Sequence, residues 1–404
     1  MAFQQGLSGL NISGKAIEVT SNNIANSSTV GFKASQAHFS DVYAASLTGA
    51  SANQAGIGAS IATIAQQFTQ GTITATSNPL DLAINGQGFY QLDNNGASSY
   101  ARNGQFKVDK NGFVVNDQGL KLTGYLANAA GIVVPSTPAP IQVSATDLAP
   151  NTTAEVTATL NLDSRSAVLP AVPAFNVNDP STYSSSTALT VYDSLGNSHN
   201  YTMFFRKSAA NTWDLYTSLD GGAGVGPTTL TFNSNGAMTA PAGTTAQSFV
   251  LTNGASTPLA FSVAFPGTSQ FGNTFSVNQL TQDGYTTGRL SGLNVGQDGV
   301  VQGRYTNGQS RSLGQITLAN FTNPNGLSPI GNNQWTETAD SGPPLIGQPN
   351  TGRLGVIQSA AVEESNTDLT AELVNLITQQ RNYQANAQSI RTQDQVLNTL
   401  VNLR

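Results

Sequence analysis

The chain has only two histidines, His38 and His199, and no cysteine. Imidazole chemistry therefore has two candidate positions and thiol chemistry none. Both histidines adjoin turn-like polar segments, and each reads as an exposed or locally satisfied ring rather than a base in a cleft. Asp93-Asn94-Asn95-Gly96 and Asp109-Lys110-Asn111-Gly112 faintly resemble calcium loops, but such a loop needs oxygen ligands at alternating positions and a bidentate acid at its end. Neither run has them, and β-turns account for both. Gly86-Gln87-Gly88 lacks the third glycine of a dinucleotide fingerprint and opens into Phe89-Tyr90, a strand rather than a helix. No phosphate loop, nucleophile elbow or paired-histidine zinc motif is present. Paired carboxylates need not be neighbours in sequence, and nothing points to a pair. The reading is a non-enzyme, with no catalytic, cofactor-binding or metal-binding residue assigned and no cofactor.

Composition agrees. Charged residues make up 9% of the 404, against roughly 25% in ordinary domains. Asn, Gln, Ser, Thr and 40 glycines fill the gap. The 16 Lys and Arg form no patch in sequence, so nucleic acid is excluded as a partner: neutralising phosphates takes clustered cations. The net charge of -6 is thinly spread. Absence of cysteine rules out a disulfide framework and suits oxidising surroundings. The start, Met1-Ala2-Phe3-Gln4-Gln5-Gly6-Leu7, lacks the basic residue and apolar run of a cleaved secretory leader. No stretch approaches the ~20 apolar residues of a membrane span.

These candidate sites would hang on elements that differ between the ends and the middle. From the start, Phe3, Leu7, Leu10, Gly14, Ile17, Ser21 and Ile24 follow a 4-3-4-3 spacing. The other end repeats it through Leu369, Leu373, Leu376, Gln380, Tyr383, Ala387, Ile390, Asp394, Leu397 and Val401, widened by Val374, Ile377 and Leu400. A 3.5-residue repeat held this strictly predicts coiled-coil seams, and the polar positions within it are of the kind that fix register. Ser365-Asn366-Thr367-Asp368 offers caps for the second helix, with Asp368 and Glu372 placed where the helix dipole favours acid. That helix has room for about 36 residues, or roughly 54 Å. Each large apolar side chain contributes ~1.5–3 kcal/mol when fully buried, before entropy. An isolated stripe contributes almost nothing, so both stripes call for partners, and the chain is expected to polymerise with copies of itself.

The middle reads as β. Turn signals at Asn85-Gly86, Asp93 to Gly96, Asp109 to Gly112 and Asp117-Gln118-Gly119 separate short runs such as Phe89 to Leu92 and Phe113 to Val115, the texture of an antiparallel all-β domain. It returns at Gln297 to Val301 and Arg304 to Gly308. Between them, residues 127–185 are rich in Ala, Pro, Val, Ser and Thr and suggest extended edges and linkers. A meander follows through Leu189 to Tyr192, Tyr201 to Phe205 and Trp213 to Tyr216. The expected fold is mainly β with terminal α-helices in a nested arrangement. Residues 1–25 and 366–404 form a helical polymerisation domain, 26–70 and 355–365 connecting segments, 71–144 and 285–354 a discontinuous first β domain, and 145–284 an inserted outer β domain.

The run Ser21-Asn22-Asn23-Ile24-Ala25-Asn26-Ser27-Ser28-Thr29-Val30-Gly31-Phe32-Lys33 closely resembles the N-terminal motif of bacterial flagellar rod and hook proteins. Asn85 to Tyr90, Tyr100 to Phe106 and Leu313 to Phe321 are similar to β-domain stretches of that family. Glu364-Ser365-Asn366, Glu372-Leu373-Val374, Gln380 to Ala387 and the terminal Leu400-Val401-Asn402-Leu403-Arg404 are similar to its C-terminal end. The resemblance covers the whole chain and is strongest at the ends. Ser21 stands where the family often has Gly, and Ala360-Ala361-Val362-Glu363 replaces a more usual small-Leu-Glu run.

Length and the large middle fit the hook branch rather than the shorter rod branch. The resemblance then implies a curved, hollow, flexible tube built from copies of one chain, transmitting torque from rod to filament as a universal joint. It further implies export through the flagellar apparatus without a cleaved leader, an extracellular place in the hook and basal body, and contacts with the distal rod protein, the hook cap protein and the hook-filament junction protein. The motif residues it singles out are Asn22, Asn23, Ile24, Ala25, Asn26, Gly31 and Phe32. A distal rod paralogue is the runner-up. An adhesin or polysaccharide-active enzyme fits the Asn/Gly/Thr-rich texture but leaves the terminal heptads without a purpose.

Overall fold

The computed structural model describes residues 2–42, 56, 58–128, 130–144 and 146–401, with the side chains of 2, 400 and 401 left out. The Val401 side chain, expected in the seam, and the motif's final Asn402-Leu403-Arg404 therefore lie outside what is described. Two helices bracket a β body. Helix α1 covers Ala2–Ala25 and helix α2 covers Leu369–Val401, 33 residues. Asp368 caps α2 by accepting the N–H groups of Thr370 and Ala371 at 2.9 and 3.1 Å, while Glu372 adds an acid to the first turn. The Asp368 carboxylate thereby satisfies donors that a helix start leaves orphaned. Among the described residues no helix is long and apolar enough to cross a membrane.

The chain divides into two compact units. The first comprises 1–145, 292–304 and 310–404, and the second 146–291 and 305–309.

In the first unit, α1 leads into an antiparallel hairpin of β1 (Ser35–Val42) and β2 (Gly58–Gln66), with a bulge between His38 and Phe39. The sequence reading treated this stretch as a connection. Its alternation of Ala, Ser, Gln and Thr carries little apolar signal, and both strands stay largely exposed. Next come β3 (Ile73–Ala75), β4 (Leu82–Asn85), β5 (Phe89–Asn94) and β6 (Ala97–Ala101). The returning chain pairs antiparallel with the early strands: Val356–Ser359 with β4, and Ala361–Glu363 with β3. A Phe89, Tyr100, Phe321 and Trp335 cluster fills the core beside them, with Phe68 packed edge-on against Phe89 and Trp335 at 5.5 Å.

The second unit has two five-stranded sheets. One is an antiparallel meander from Ser185–Tyr192 to Met238–Ala240. The other is organised around Glu155–Asp163, which pairs with three strands. Their buried residues, among them Leu160, Tyr201, Phe205, Trp213 and Phe261, form one core. Residues 127–185 are thus not merely edges and linkers: Val156, Ala158, Leu160 and Leu162 are almost wholly buried in the Glu155–Asp163 strand. Alternation with small residues hid a core strand inside an Ala- and Pro-rich stretch.

Candidate assembly site at the joined chain ends

Helices α1 and α2 run antiparallel. Gly6 lies against Ile390, Gly9 against Asn386, Gly14 near Tyr383, and Asn23 Nδ2 donates to Glu372 Oε1 at 3.2 Å. A methyl group built on Gly9 would sit 2.7 Å from Asn386 Oδ1, so a larger residue there would push the Asn386 amide aside. The buried face of α1 is Gly6, Ser13, Ala16, Thr20 and Asn23. These positions fall one residue before the apolar stripe Leu7, Gly14, Ile17, Ser21 and Ile24. On the α1 side, small residues such as Gly6, Gly9 and Gly14 therefore meet α2, while Phe3 and Leu7 are left exposed.

The expected seam residues divide accordingly. Phe3 and Leu7 are 49% and 45% exposed, while Leu10, Ile17 and Ile24 are half-buried. On α2, Leu369, Leu373, Tyr383 and Leu397 are exposed, as are the flanking Val374, Ile377 and Val396. Leu376 and Ile390 are half-buried, on the side of α2 that meets α1. Not one described α2 side chain is fully buried. Two helices with this much uncovered apolar surface form a patch of the kind that marks an interaction site.

The family motif builds the joint below the helices. Asn26 closes α1 by returning its N–H and Nδ2 to the carbonyl of Asn22, and its Oδ1 accepts from Thr29. Asn22 and Ala25 are exposed. Asn23 is buried and holds Ser35 by both edges of its amide, accepting from the N–H at 2.9 Å and donating to the carbonyl at 2.8 Å. Gly31 has φ +71°, and a Cβ there would lie 2.5 Å from the backbone nitrogen of Asn103. Phe32 is buried next to it.

Sequence reasoning gave no role to three residues here, and offered a fourth, Asn366, only as a helix cap. Lys33, Arg102 and Glu363 are buried together: Glu363 Oε1 takes Lys33 Nζ at 2.6 Å and the N–H of Gly71 at 2.9 Å, and Oε2 takes Arg102 Nη1 at 3.2 Å. Burial lowers the Lys33 ammonium from its usual value and Glu363 opposes this, while the Arg102 charge adds to the lowering. Burial likewise lowers Arg102, against the pull of Glu363. Asn366 accepts from the Ala34 N–H and donates to the carbonyl of Gln67. The available signal was rarity: with 9% charged residues in the chain, a Lys within an otherwise uncharged motif is conspicuous.

The suspected chemical residues are occupied locally. Asp93 accepts from the Gly96 N–H and Asp109 from those of Asn111 and Phe113, each within its own turn. His38 is exposed on β1. His199 bridges Asp220 at 2.7 Å and Asp193 at 3.2 Å in the second unit. Among the described residues no group of His, Cys, Asp or Glu is arranged to hold a metal.

Paired terminal helices, with one β unit inserted in sequence within another, are the plan of a flagellar axial subunit, and four family models trace it along the chain. They are the flagella basal body rod protein (3–33), the flagellar hook protein FlgE/F/G D1 domain (83–148), the flagellar basal body protein FlaE D2 domain (161–285) and the flagellar basal body rod FlgEFG protein C-terminal (358–403). The chain is 43% identical over 412 residues to the flagellar hook protein FlgE of Escherichia coli K12 and 44% over 414 residues to that of Salmonella typhimurium LT2, with the whole of each chain covered. The FlgE of Borreliella burgdorferi is 32% identical over 445 residues, covering all of this chain and 99% of that one. A crystal structure of Helicobacter pylori flagellar hook protein FlgE2 shares the fold at 12% identity and TM-score 0.54, covering 72% of this chain and 100% of that one. The chain belongs to the flagellar hook protein family. It is a structural subunit of the flagellum and not an enzyme.

Proposed function

We propose that copies of this chain join through α1 and α2, with the exposed Phe3, Leu7, Leu369, Leu373, Tyr383 and Leu397, and Val401 at the end of α2, as the packing residues of the tube, and with the half-buried Leu10, Ile17, Ile24, Leu376 and Ile390 backing them. The observation that carries this reading is the uncovered apolar surface of two helices already held together by other residues. At ~1.5–3 kcal/mol for each large side chain newly buried, a few such contacts per subunit sustain a polymer, while a lone chain gains nothing from them.

The β units then serve as the outer wall of a curved tube that turns while it bends. Each line of subunits shortens and lengthens on every rotation, so contacts between outer units must exchange readily. Amide and hydroxyl surfaces suit this, because bridging water substitutes for direct bonds at little cost. The tube passes torque from rod to filament as a universal joint. Distal rod protein, cap protein and hook-filament junction protein are its neighbours, and subunits reach the extracellular growing end through the flagellar export apparatus without a cleaved leader.

Negative-stain electron microscopy of the full chain and of a version lacking residues 1–25 and 366–404 tests this reading. Curved tubes from the full chain and monomers from the truncated one are expected. Equal polymerisation by both would remove the helices from the assembly.

A further inference from the structure

The buried ion cluster under the helices is unbalanced. Lys33 and Arg102 are two cations, and Glu363 is the single acid between them. Glu363 is fully engaged, since its two oxygens already take Lys33, Gly71 and Arg102. Arg102 is 3% exposed, and its Nε has no hydrogen-bond partner among the described residues. A buried charge without full compensation is costly and favours a site that an anion can approach.

Such an approach exists. Arg102 lines an open cleft of about 520 Å³ whose walls include Phe68, Phe89 and Phe321. The guanidinium lies over the Phe89 ring, 5.4 Å from its centre. The rim carries Leu345, 59% exposed, and Arg353, also exposed and in no ion pair among the described residues. No acidic residue lines the cleft. Aromatic walls with one cation at the base and another at the mouth match a side chain or segment that is apolar along its length and anionic at its tip.

We propose that this cleft receives an acidic side chain, carried beside an apolar one, from a neighbouring copy of the same chain. The proposal rests on the polymerisation described above, which sets copies side by side. Charge complementarity identifies the occupant: the chain has 22 acidic residues against 16 Lys and Arg, so a neighbouring copy offers carboxylates where this cleft offers only cations. The contact lies in the first unit rather than on the helices. It adds an electrostatic register to an assembly whose helical seam is apolar.

The test replaces Leu345 of the full-length chain with a benzophenone amino acid, forms hooks in cells and illuminates them. Mass spectrometry then maps the adducts. The expected product joins two copies of the chain, with the acceptor peptide containing Asp or Glu. Arg353→Glu is expected to lower its yield roughly tenfold or more, while Arg353→Lys retains most of it. Hooks that form without an adduct, an acceptor peptide lacking an acid, an adduct to another protein, or a yield indifferent to Arg353→Glu would each overturn the proposal. If the unaltered chain forms no polymer, microscopy shows it before any cross-link is sought. The polymerisation reading then fails and takes the cleft with it.

Discussion

Lys33 Nζ and Glu363 Oε1 meet at 2.6 Å across 330 residues of chain, and neither side chain has exposed surface. The backbone repeats the connection: Gly31 N–H donates to the Glu363 carbonyl at 2.8 Å. Glu363 ends the strand that pairs with β3, and its register partner is Ile73. One residue of the returning chain thus fixes the segment leaving α1, the start of β3 and, through Arg102, the end of β6. The helices that follow and precede this joint inherit their alignment from it.

Glu363→Gln tests how much that joint carries. The substitution keeps the shape but leaves Lys33 and Arg102 buried without their acid, a change that costs about 3–5 kcal/mol in comparable buried pairs. The chain has two tryptophans, Trp335 in the first unit and Trp213 in the second. In a Trp213→Phe background, fluorescence during urea unfolding should show the Trp335 transition moved to much lower denaturant by Glu363→Gln. An unmoved transition would mean the cluster does not hold the first unit together.

Gly31→Ala should be as damaging for a different reason. At φ +71° an L residue is strained, and the added carbon would meet backbone at Asn103, which has no flexible end to swing away. Gly9→Ala contrasts with it: its added carbon meets only the end of the Asn386 side chain, and alanine gains about 0.8–1 kcal/mol of helix propensity over glycine. The expected result is a loss of several kcal/mol for Gly31→Ala and a change near zero for Gly9→Ala, read from denaturation midpoints. Equal effects at the two sites would refute the distinction.

The same contrast explains what the sequence made legible. Period and capping revealed the helices because heptads and Asp368 act locally. The side on which α1 meets α2 was obscured because Gly6, Gly9, Ser13 and Ala16 are too small to announce an apolar stripe, although their smallness lets the helices touch. The Asn22 to Phe32 motif was visible as a resemblance, but its work depends on Asn103, Glu363 and Glu372, which only closure of the chain brings near. The β1–β2 hairpin escaped for a related reason: Ala, Ser and Thr alternate without enough apolar contrast to announce strands.

The second unit should soften as pH rises. Burial works against the His199 charge, but the Asp220 and Asp193 contacts prevail, and its pKa is raised from the ordinary 6.5. Asp193 faces it while also accepting from Asn197 and Asn253; these bonds overcome burial and hold that carboxyl well below its usual range. It therefore stays ionised throughout. A raised histidine stabilises fully below about 6.5 and loses that contribution as pH climbs through its higher folded value. Urea midpoints of the Trp213 transition should fall as pH rises above about 6.5, and His199→Gln should flatten that fall. An unchanged slope in the variant would show that His199 is not the group responsible.

Leu373 and Leu376 separate assembly from folding. Leu373 is 44% exposed in the single chain, whereas Leu376 is half-buried on the helical face that includes Glu372 and Tyr383. Exposed substitutions usually stay within about 0.5 kcal/mol of neutral, so Leu373→Asp should leave α2 folded and its thermal melt by circular dichroism unchanged. In the polymer the same aspartate would bring an unpaired charge into each apolar contact, repeated at every subunit, and no tubes should form. Leu376→Asp loses packing within the chain as well, so it should lower the melt and block assembly together. Hooks of normal length from Leu373→Asp would take that residue out of the seam. An unchanged melt for Leu376→Asp would show that its side chain contributes little to the α1–α2 contact. Loss of tubes without loss of helix in Leu373→Asp alone is the pattern that assigns the outer stripe to neighbouring subunits and the inner one to the chain itself.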